Sequence, residues 1–303
     1  MDQPARDFFD LAETAQSFAR SLRAENKQPR TVYLYLDAVM RLRAFLEERG
    51  ETTNVRQVTR RHVGDFVLSQ VETKKANTAA SRFRALRRFF RWALAEGEIG
   101  KNPMDGMKQP TVPEIPVDIV TNDEMQKLLK VTQGQGFSER RDHALILMLW
   151  DTGVRSSELM NLTMEDVDLD AGVAIVLGKG RRPRTVAYGR RTTKALDRYI
   201  RVRARHPHAH LPNLWLGKFG VMTLSGLGQV VKKRGRQVGI NGLHAHRFRH
   251  TMAASWLAEG GQEQDLMRLA GWKTRDMLAR YGSATAEERA REAHKRFGPA
   301  DRL

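Results

Sequence analysis

The chain of 303 residues sets 52 Lys and Arg against 35 Asp and Glu, a formal charge of +17, on an ordinary hydrophobic fraction of 41%. That length allows two domains, each with its own core, and the charge excess calls for a polyanionic partner, nucleic acid or an anionic membrane. With no cysteine, disulfides, thiolate metal sites and a cysteine nucleophile are excluded. The longest apolar run, Ala144 to Trp150, falls far short of the roughly 20 residues of a spanning helix. The N-terminus lacks the basic region and apolar stretch of a secretory leader. The expectation is a soluble, cytoplasmic, nucleic-acid-binding protein with no membrane role.

Residues 1–108 read as all helical. Val32, Tyr35, Val39, Leu42 and Leu46 recur at helical spacing in a segment that stops at Gly50. A shorter helix follows with Thr59 as its cap, and a longer one runs from Asn77 to Glu96 and ends at Gly97. On that longer helix Arg84, Arg87, Arg88 and Arg91 fall at i, i+3, i+4 and i+7, while Phe83, Leu86, Phe90 and Leu94 line another side. A charge run is ordinarily a solvated face. This one is all arginine with no interleaved acid, inside a strongly basic chain, which favours contact with DNA phosphates.

Pro110, Pro113 and Pro116 mark residues 109–120 as a linker. A capping box, Thr121 with Glu124, opens the second domain, expected over 121–282. This domain reads as mostly helical with one strand-like interruption. Val173–Leu177 and Arg184–Tyr188 form an antiparallel hairpin joined by the cationic tip "GKGRRP". Residues 283–303 read as a tail helix capped by Ser283 or Thr285, with Ala286, Ala290, Ala293 and Phe297 along one side. The fold class is therefore mainly α, with a small antiparallel β-sheet in the second domain.

Several motifs fail on spacing. "GKGRR" lacks the P-loop pattern, and "DVDLDAG" has Ala171 and Leu177 where a calcium loop needs Gly and Glu. "HAHRFRHT", His244 to Thr251, offers three imidazoles and two guanidiniums in eight residues. A metal held by His244, His246 and His250 would sit beside the permanent charges of Arg247 and Arg249, with no carboxylate nearby in sequence; an anion fits better. Two overlapping His-x-x-Arg pairs, His244 with Arg247 and His246 with Arg249, share the spacing that faces side chains together on a helix. Spacing does not choose between them.

"TGVRSSEL", "GKGRRPRTV", "HRFRHT" and "AGWKTRDMLARY" stand in the order found in tyrosine recombinases, the phage integrase family, and the chain resembles that family over nearly its whole length. The family pattern H-x-x-R-H-[TS], with an apolar residue before the Arg, selects His246 and Arg249. The first motif gives Arg155 and Glu158, the hairpin gives Lys179, and the nucleophile maps to Tyr281, nine residues after Trp272. Trp272 stands where many members carry His. The resemblance implies a helical core-binding domain followed by a catalytic domain, closing on duplex DNA as a clamp. With about ten residues ahead of the first helix, it implies a compact integrase without an arm-binding domain.

The implied reaction is site-specific recombination through a 3′-phosphotyrosyl intermediate, with no cofactor, ATP or metal. Arg155 and Arg249 would clamp the phosphate, Lys179 would protonate the leaving 5′ oxygen, and His246 would share the tyrosine proton. Trp272 would donate one hydrogen bond to phosphate without transferring a proton. Glu158 would orient an arginine or histidine, the bland alternative being a local salt-bridge partner, and His250 reads as structural. Arg181 and Arg182 are further phosphate or solvent contacts. Implied partners are duplex DNA with paired half-sites, three further protomers in a DNA-bound tetramer, and an accessory directionality protein, in a bacterial cell or phage-infected host. Alternatives are a chromosome-dimer resolvase of the Xer type, a type IB topoisomerase and a non-catalytic DNA-binding regulator.

Overall fold

The computed structural model describes residues 9–113, 118–178, 182–275, 278, 291, 294 and 295. The chain divides into two compact units, one up to Ile115 and the other from Pro116. No helix among the described residues is long and apolar enough to cross a membrane.

The first unit holds four helices: α1 (Leu11–Ala24), α2 (Pro29–Glu48), α3 (Arg60–Thr73) and α4 (Ala76–Ala95). Their ends follow from local chemistry. Asp10 caps α1 by accepting from the Ala12 amide at 2.7 Å, and the same carboxylate accepts from Arg43 of α2 at 2.9 Å. Proline begins α2, where its missing N–H costs nothing. Thr59 caps α3 in a box whose return arm is the His62 ring. Phe18, Phe83, Phe89 and Phe90 are fully buried, and Phe18 meets Phe89 edge-on at 5.5 Å. Val32, Val39, Leu42 and Leu46 line the core as their spacing requires, with Tyr35 partly buried and stacked on Phe18. Leu94 departs from expectation: it is 41% exposed, because Ala93 beside it takes the inward position after Phe83, Leu86 and Phe90.

The second unit begins with α5 (Asn122–Val131) and α6 (Phe137–Thr152). Thr121 and Glu124 form the expected capping box. Ala144 to Leu149 are six consecutive buried residues, so α6 is enclosed on all sides, packed against α8 (Arg190–Arg203) and α10 (Ala245–Ala258). Each large apolar side chain so enclosed contributes about 1.5–3 kcal/mol. Between α6 and α8 lie α7 (Ser156–Met160) and a three-stranded antiparallel sheet, β1 (Val167–Asp168), β2 (Val173–Leu177) and β3 (Pro183–Ala187). The expected hairpin is β2–β3, in register from Val173 opposite Ala187 to Leu177 opposite Pro183. A second small sheet, β4 (Leu216–Gly217) with β5 (Gly220–Val221), was not expected; its strands are two residues each, too short for an alternating pattern. Helices α9 (Leu224–Gln237) and α11 (Glu263–Ala270) complete the unit. Of the proposed tail helix, Arg291, His294 and Lys295 are helical, while Ser283, Thr285, Ala286, Ala290, Ala293 and Phe297 lie outside the described residues.

Residues 118–120, expected as linker, are bound to α10. The Val120 amide donates to Thr251 Oγ1 at 2.8 Å, Arg247 donates to the Ile119 carbonyl at 2.8 Å, and Asp118 pairs with Arg247 at 2.9 Å.

Candidate active site

The site is built at two helix ends where glycine permits a left-handed residue. Gly153 (φ +56°) closes α6, and a Cβ there would lie 2.4 Å from Met252 Cε. Gly271 (φ +62°) closes α11. Four letters of "TGVRSSEL" have local work. Thr152 accepts from the Val154 amide at 3.2 Å, Gly153 makes the turn, and Arg155 is the N-cap residue of α7. Its amide donates to Glu158 Oε2 at 3.0 Å while its Nη1 donates to Glu158 Oε1 at 2.8 Å. Glu158 thus holds Arg155 at both backbone and guanidinium, a contact that fits the expected accessory role and the local salt bridge alike.

Three guanidiniums then meet the C-terminus of α11. Arg184 Nε donates to the Leu269 carbonyl at 3.1 Å, Arg249 Nη2 to the Ala270 carbonyl, and Arg155 Nη2 to the Gly271 carbonyl at 3.0 Å. These carbonyls are the unsatisfied acceptors of a helix end, where the backbone dipole carries partial negative charge. Arg249 also donates to the Gly153 carbonyl at 2.9 Å, so it ties the two glycine turns together. Only one carboxylate, Glu158, bonds to this cluster among the described residues; its Oε2 also accepts from Arg184 at 2.9 Å. Glu158 is 4% exposed, and burial pushes its pKa up, but the hydrogen bonds from Arg184 and Arg155 outweigh this and hold it below the ordinary carboxylate value. Three fixed positive charges against one negative leave the cluster suited to an anion.

Exposure separates its members. Arg155 keeps 36% of its side chain in solvent, whereas Arg249 is 1% exposed beneath the Trp272 ring, 5.3 Å from guanidinium carbon to ring centroid. The sequence gives both arginines one task; their surroundings differ. Trp272 is itself buried with Leu257, Leu266 and Leu278, packing over Arg249 as a lid. His246 is exposed in the first turn of α10, with its ring 4.4 Å from that of His250 in edge contact.

The competing pair goes elsewhere. His244 is the N-cap residue of α10, its Nδ1 3.0 Å from the Gly242 carbonyl. Arg247 is buried and bound to Asp118, the Ile119 carbonyl and Glu124. No carboxylate lies near it in sequence, yet two come from more than a hundred residues away.

On α4 the arginine stripe divides: Arg84 and Arg91 are exposed, while Arg88 pairs with Glu25 and Arg87 donates to the Met107 carbonyl. Arg182 is exposed at the tip end of the β2–β3 hairpin, its carbonyl accepting from the Gly178 amide at 2.9 Å. Lys179, Arg181 and Tyr281 lie outside the described residues. The other tyrosines are otherwise engaged or belong to the first unit. Tyr188 donates to the Asp168 carbonyl and Tyr199 to that of Leu214, and burial pushes each phenol up to about 12. Tyr33 and Tyr35 belong to α2 in the first unit.

Two contributors were missed. Arg184 lies in the quoted hairpin, but no spacing rule linked a strand residue to Glu158. The Leu269, Ala270 and Gly271 carbonyls are backbone groups, invisible to a search over side chains; the glycine after an apolar helix was their only signal.

Residues 118–288 match the family model described as the phage integrase family, and residues 15–97 match the phage integrase N-terminal SAM-like domain. Among curated relatives, the tyrosine recombinase XerC of Oceanobacillus iheyensis is 28% identical over 93% of this chain and 95% of its own. XerC of Escherichia coli O127:H6 is 28% identical over 86% and 88%. Among solved structures, the XerH site-specific recombinase bound to palindromic difH substrate superposes with a TM-score of 0.74 at 16% identity, covering 93% of this chain and 84% of that one. The Tn1549 transposon integrase in complex with a circular intermediate DNA gives 0.72 at 22%, covering 94% and 99%.

Proposed function

This chain belongs to the phage integrase family and is a tyrosine site-specific recombinase, and we propose how its residues divide the work of cutting and rejoining DNA. The carrying observation is the convergence of three guanidiniums on the α11 terminus with one carboxylate between them. Such a cluster stabilises the extra negative charge on a pentacoordinate phosphorus, and it does so without reorganising during the reaction. Arg155 meets the non-bridging oxygens from solvent. Arg249 adds its charge from beneath, in surroundings of low dielectric.

Tyr281 Oη attacks the scissile phosphorus and its proton passes to His246. The bond from phosphorus to the 5′ oxygen breaks, and Lys179 protonates that oxygen as it leaves. A 5′-hydroxyl then attacks the phosphotyrosine, restoring Tyr281 and a phosphodiester. Bond energy is kept in the covalent intermediate, so the chemistry calls for neither ATP nor metal. Trp272 covers Arg249 and sets the position of the turn. Arg84 and Arg91 contact DNA phosphates from α4, and Arg181 and Arg182 do so from the hairpin.

The substrate places the protein in the cytoplasm. We assign the active species as a tetramer on paired half-sites, with residues 283–303 docking on a neighbouring protomer and an accessory protein setting direction. Deleting residues after 283 then impairs synapsis more than single-site binding; equal loss of both contradicts the docking. A chromosome-dimer resolvase of the Xer type is the second reading, favoured by near full-length similarity to XerC proteins. Duplexes enriched by the protein from a random pool, then nicked, test the chemistry. A covalent adduct forms on a denaturing gel, Tyr281→Phe abolishes it with DNA binding intact, and EDTA leaves it unchanged. An adduct that survives in Tyr281→Phe, or that EDTA removes, contradicts the assignment.

A further inference from the structure

We propose that Arg184 is a positioning residue for strand cleavage: through the carboxylate it shares with Arg155, it fixes that guanidinium and locks the β2–β3 hairpin to the α11 terminus. The role rests on the recombinase assignment above.

Arg184 stands in β3 opposite Val176, one residue after Pro183 at the hairpin's tip end. Its guanidinium spans two other elements. Nη2 reaches Glu158 Oε2 in α7 at 2.9 Å, and Nε reaches the Leu269 carbonyl in α11 at 3.1 Å. With 15% of its side chain exposed against 36% for Arg155, it is the inner of the two arginines on Glu158. Glu158 Oε1 serves Arg155 alone, whereas Oε2 is shared between the Arg155 amide and Arg184. Removing Arg184 leaves a buried carboxylate with one of its charged donors gone, free to turn away from the geometry that aims Arg155. The Leu269 carbonyl, next in line to those that receive Arg249 and Arg155, loses its donor at the same time.

The glycine at 271 supports the same assembly. A Cβ there would lie 3.2 Å from Arg184 Nε and 3.4 Å from Arg155 Nη1, so a side chain on this left-handed residue would press on the guanidiniums that close on the turn. A lysine at 184 keeps the charge and reaches either Glu158 or Leu269 as a point donor, but it lacks the planar fork that serves both.

The test compares wild type, Arg184→Ala, Arg184→Lys, Glu158→Gln and the Arg184→Ala/Glu158→Gln double variant on nicked duplexes, measuring single-turnover cleavage and DNA dissociation separately. Arg184→Ala is expected to slow cleavage about 30-fold or more while DNA affinity changes less than about threefold. Arg184→Lys recovers part of the rate, and the double variant is no slower than the worse single one, because both act through one carboxylate. If Arg184→Ala fails to fold, Arg184→Lys and Arg184→Gln carry the same rate-against-affinity comparison. Loss of affinity with cleavage intact would make Arg184 a DNA contact, and multiplying losses would make it independent of Glu158; either overturns the role. A wild-type protein that formed no adduct would overturn the recombinase assignment itself, a result distinct from any difference among the variants.

Discussion

Two buried carboxylates in the second unit each sit between two arginines, and only one of these clusters reads as an anion site. Asp142 accepts from Arg141 at 2.8 Å and from Arg234 at 2.7 Å, with side-chain exposures of 11% and 7% for the arginines. Glu158 accepts from Arg155 and Arg184, exposed to 36% and 15%. In the first cluster both guanidiniums are enclosed, and Arg141 spends a further donor on the Leu216 carbonyl. It pins α6 to α9. In the second, a third arginine joins at the α11 terminus and Arg155 opens to solvent. The ion pair is the same chemistry in both places; surplus positive charge with access to water separates a binding site from a strut.

That contrast breaks most visibly under single substitutions. Arg234→Ala leaves a buried carboxylate half-paired and is expected to cost about 3–5 kcal/mol in denaturant unfolding, with cleavage per folded molecule unchanged. Arg155→Ala is expected to slow single-turnover cleavage about 100- to 1000-fold, with a smaller loss of stability than Arg234→Ala because the half-exposed position it vacates admits water to Glu158. If the two variants exchange phenotypes, the distinction between strut and site is wrong.

The two arginines of "HRFRHT" sharpen the same point. Arg249→Ala should slow cleavage about 100-fold. Arg247→Ala should instead cost about 1–3 kcal/mol of stability and open residues 118–121 to proteolysis, since its partners are Asp118, the Ile119 carbonyl and Glu124. A larger cleavage defect in the Arg247 variant would reverse the register.

Gly271→Ala places a side chain on a left-handed residue beside two guanidiniums. It should cost about 1–2 kcal/mol in thermal unfolding and slow cleavage as well; a stability loss with unchanged cleavage would detach the turn from the site.

The smallest effect is on pH. Because the folded-state pKa of Glu158 is depressed, its stabilisation is fully present above the ordinary value of 4.5 and is lost as pH falls toward the lower folded value. Glu158→Gln should flatten that acid limb in urea titrations as pH falls below 4.5. An unchanged slope would mean that the carboxylate is not held by its arginines.

Much of this was legible from periodicity and caps. The Thr59 and Thr121 caps and the β2–β3 hairpin follow from local rules that the tertiary fold leaves intact. The arginine register did not. His244–Arg247 and His246–Arg249 are equivalent on a helical wheel, and the family pattern chose between them. What separates them physically is that Arg247 meets acids supplied by residues 118 and 124, a non-local fact. Arg184 escaped notice for a related reason: its partners are a carboxylate 26 residues earlier and a backbone carbonyl 85 residues later. Leu94 fell on the apolar side of its helix by spacing, yet Ala93 holds the inward position there. Half of the arginine stripe on α4 was likewise taken by Glu25 and the Met107 carbonyl.

Peptide mapping of the covalent DNA adduct by mass spectrometry tests the central assignment most directly. Protein trapped on a nicked duplex in the presence of EDTA should yield one modified peptide, with the phosphonucleotide on Tyr281. A modified residue at Tyr33, Tyr35, Tyr188 or Tyr199, or no phosphotyrosyl peptide from protein that binds and cuts the duplex, would contradict it.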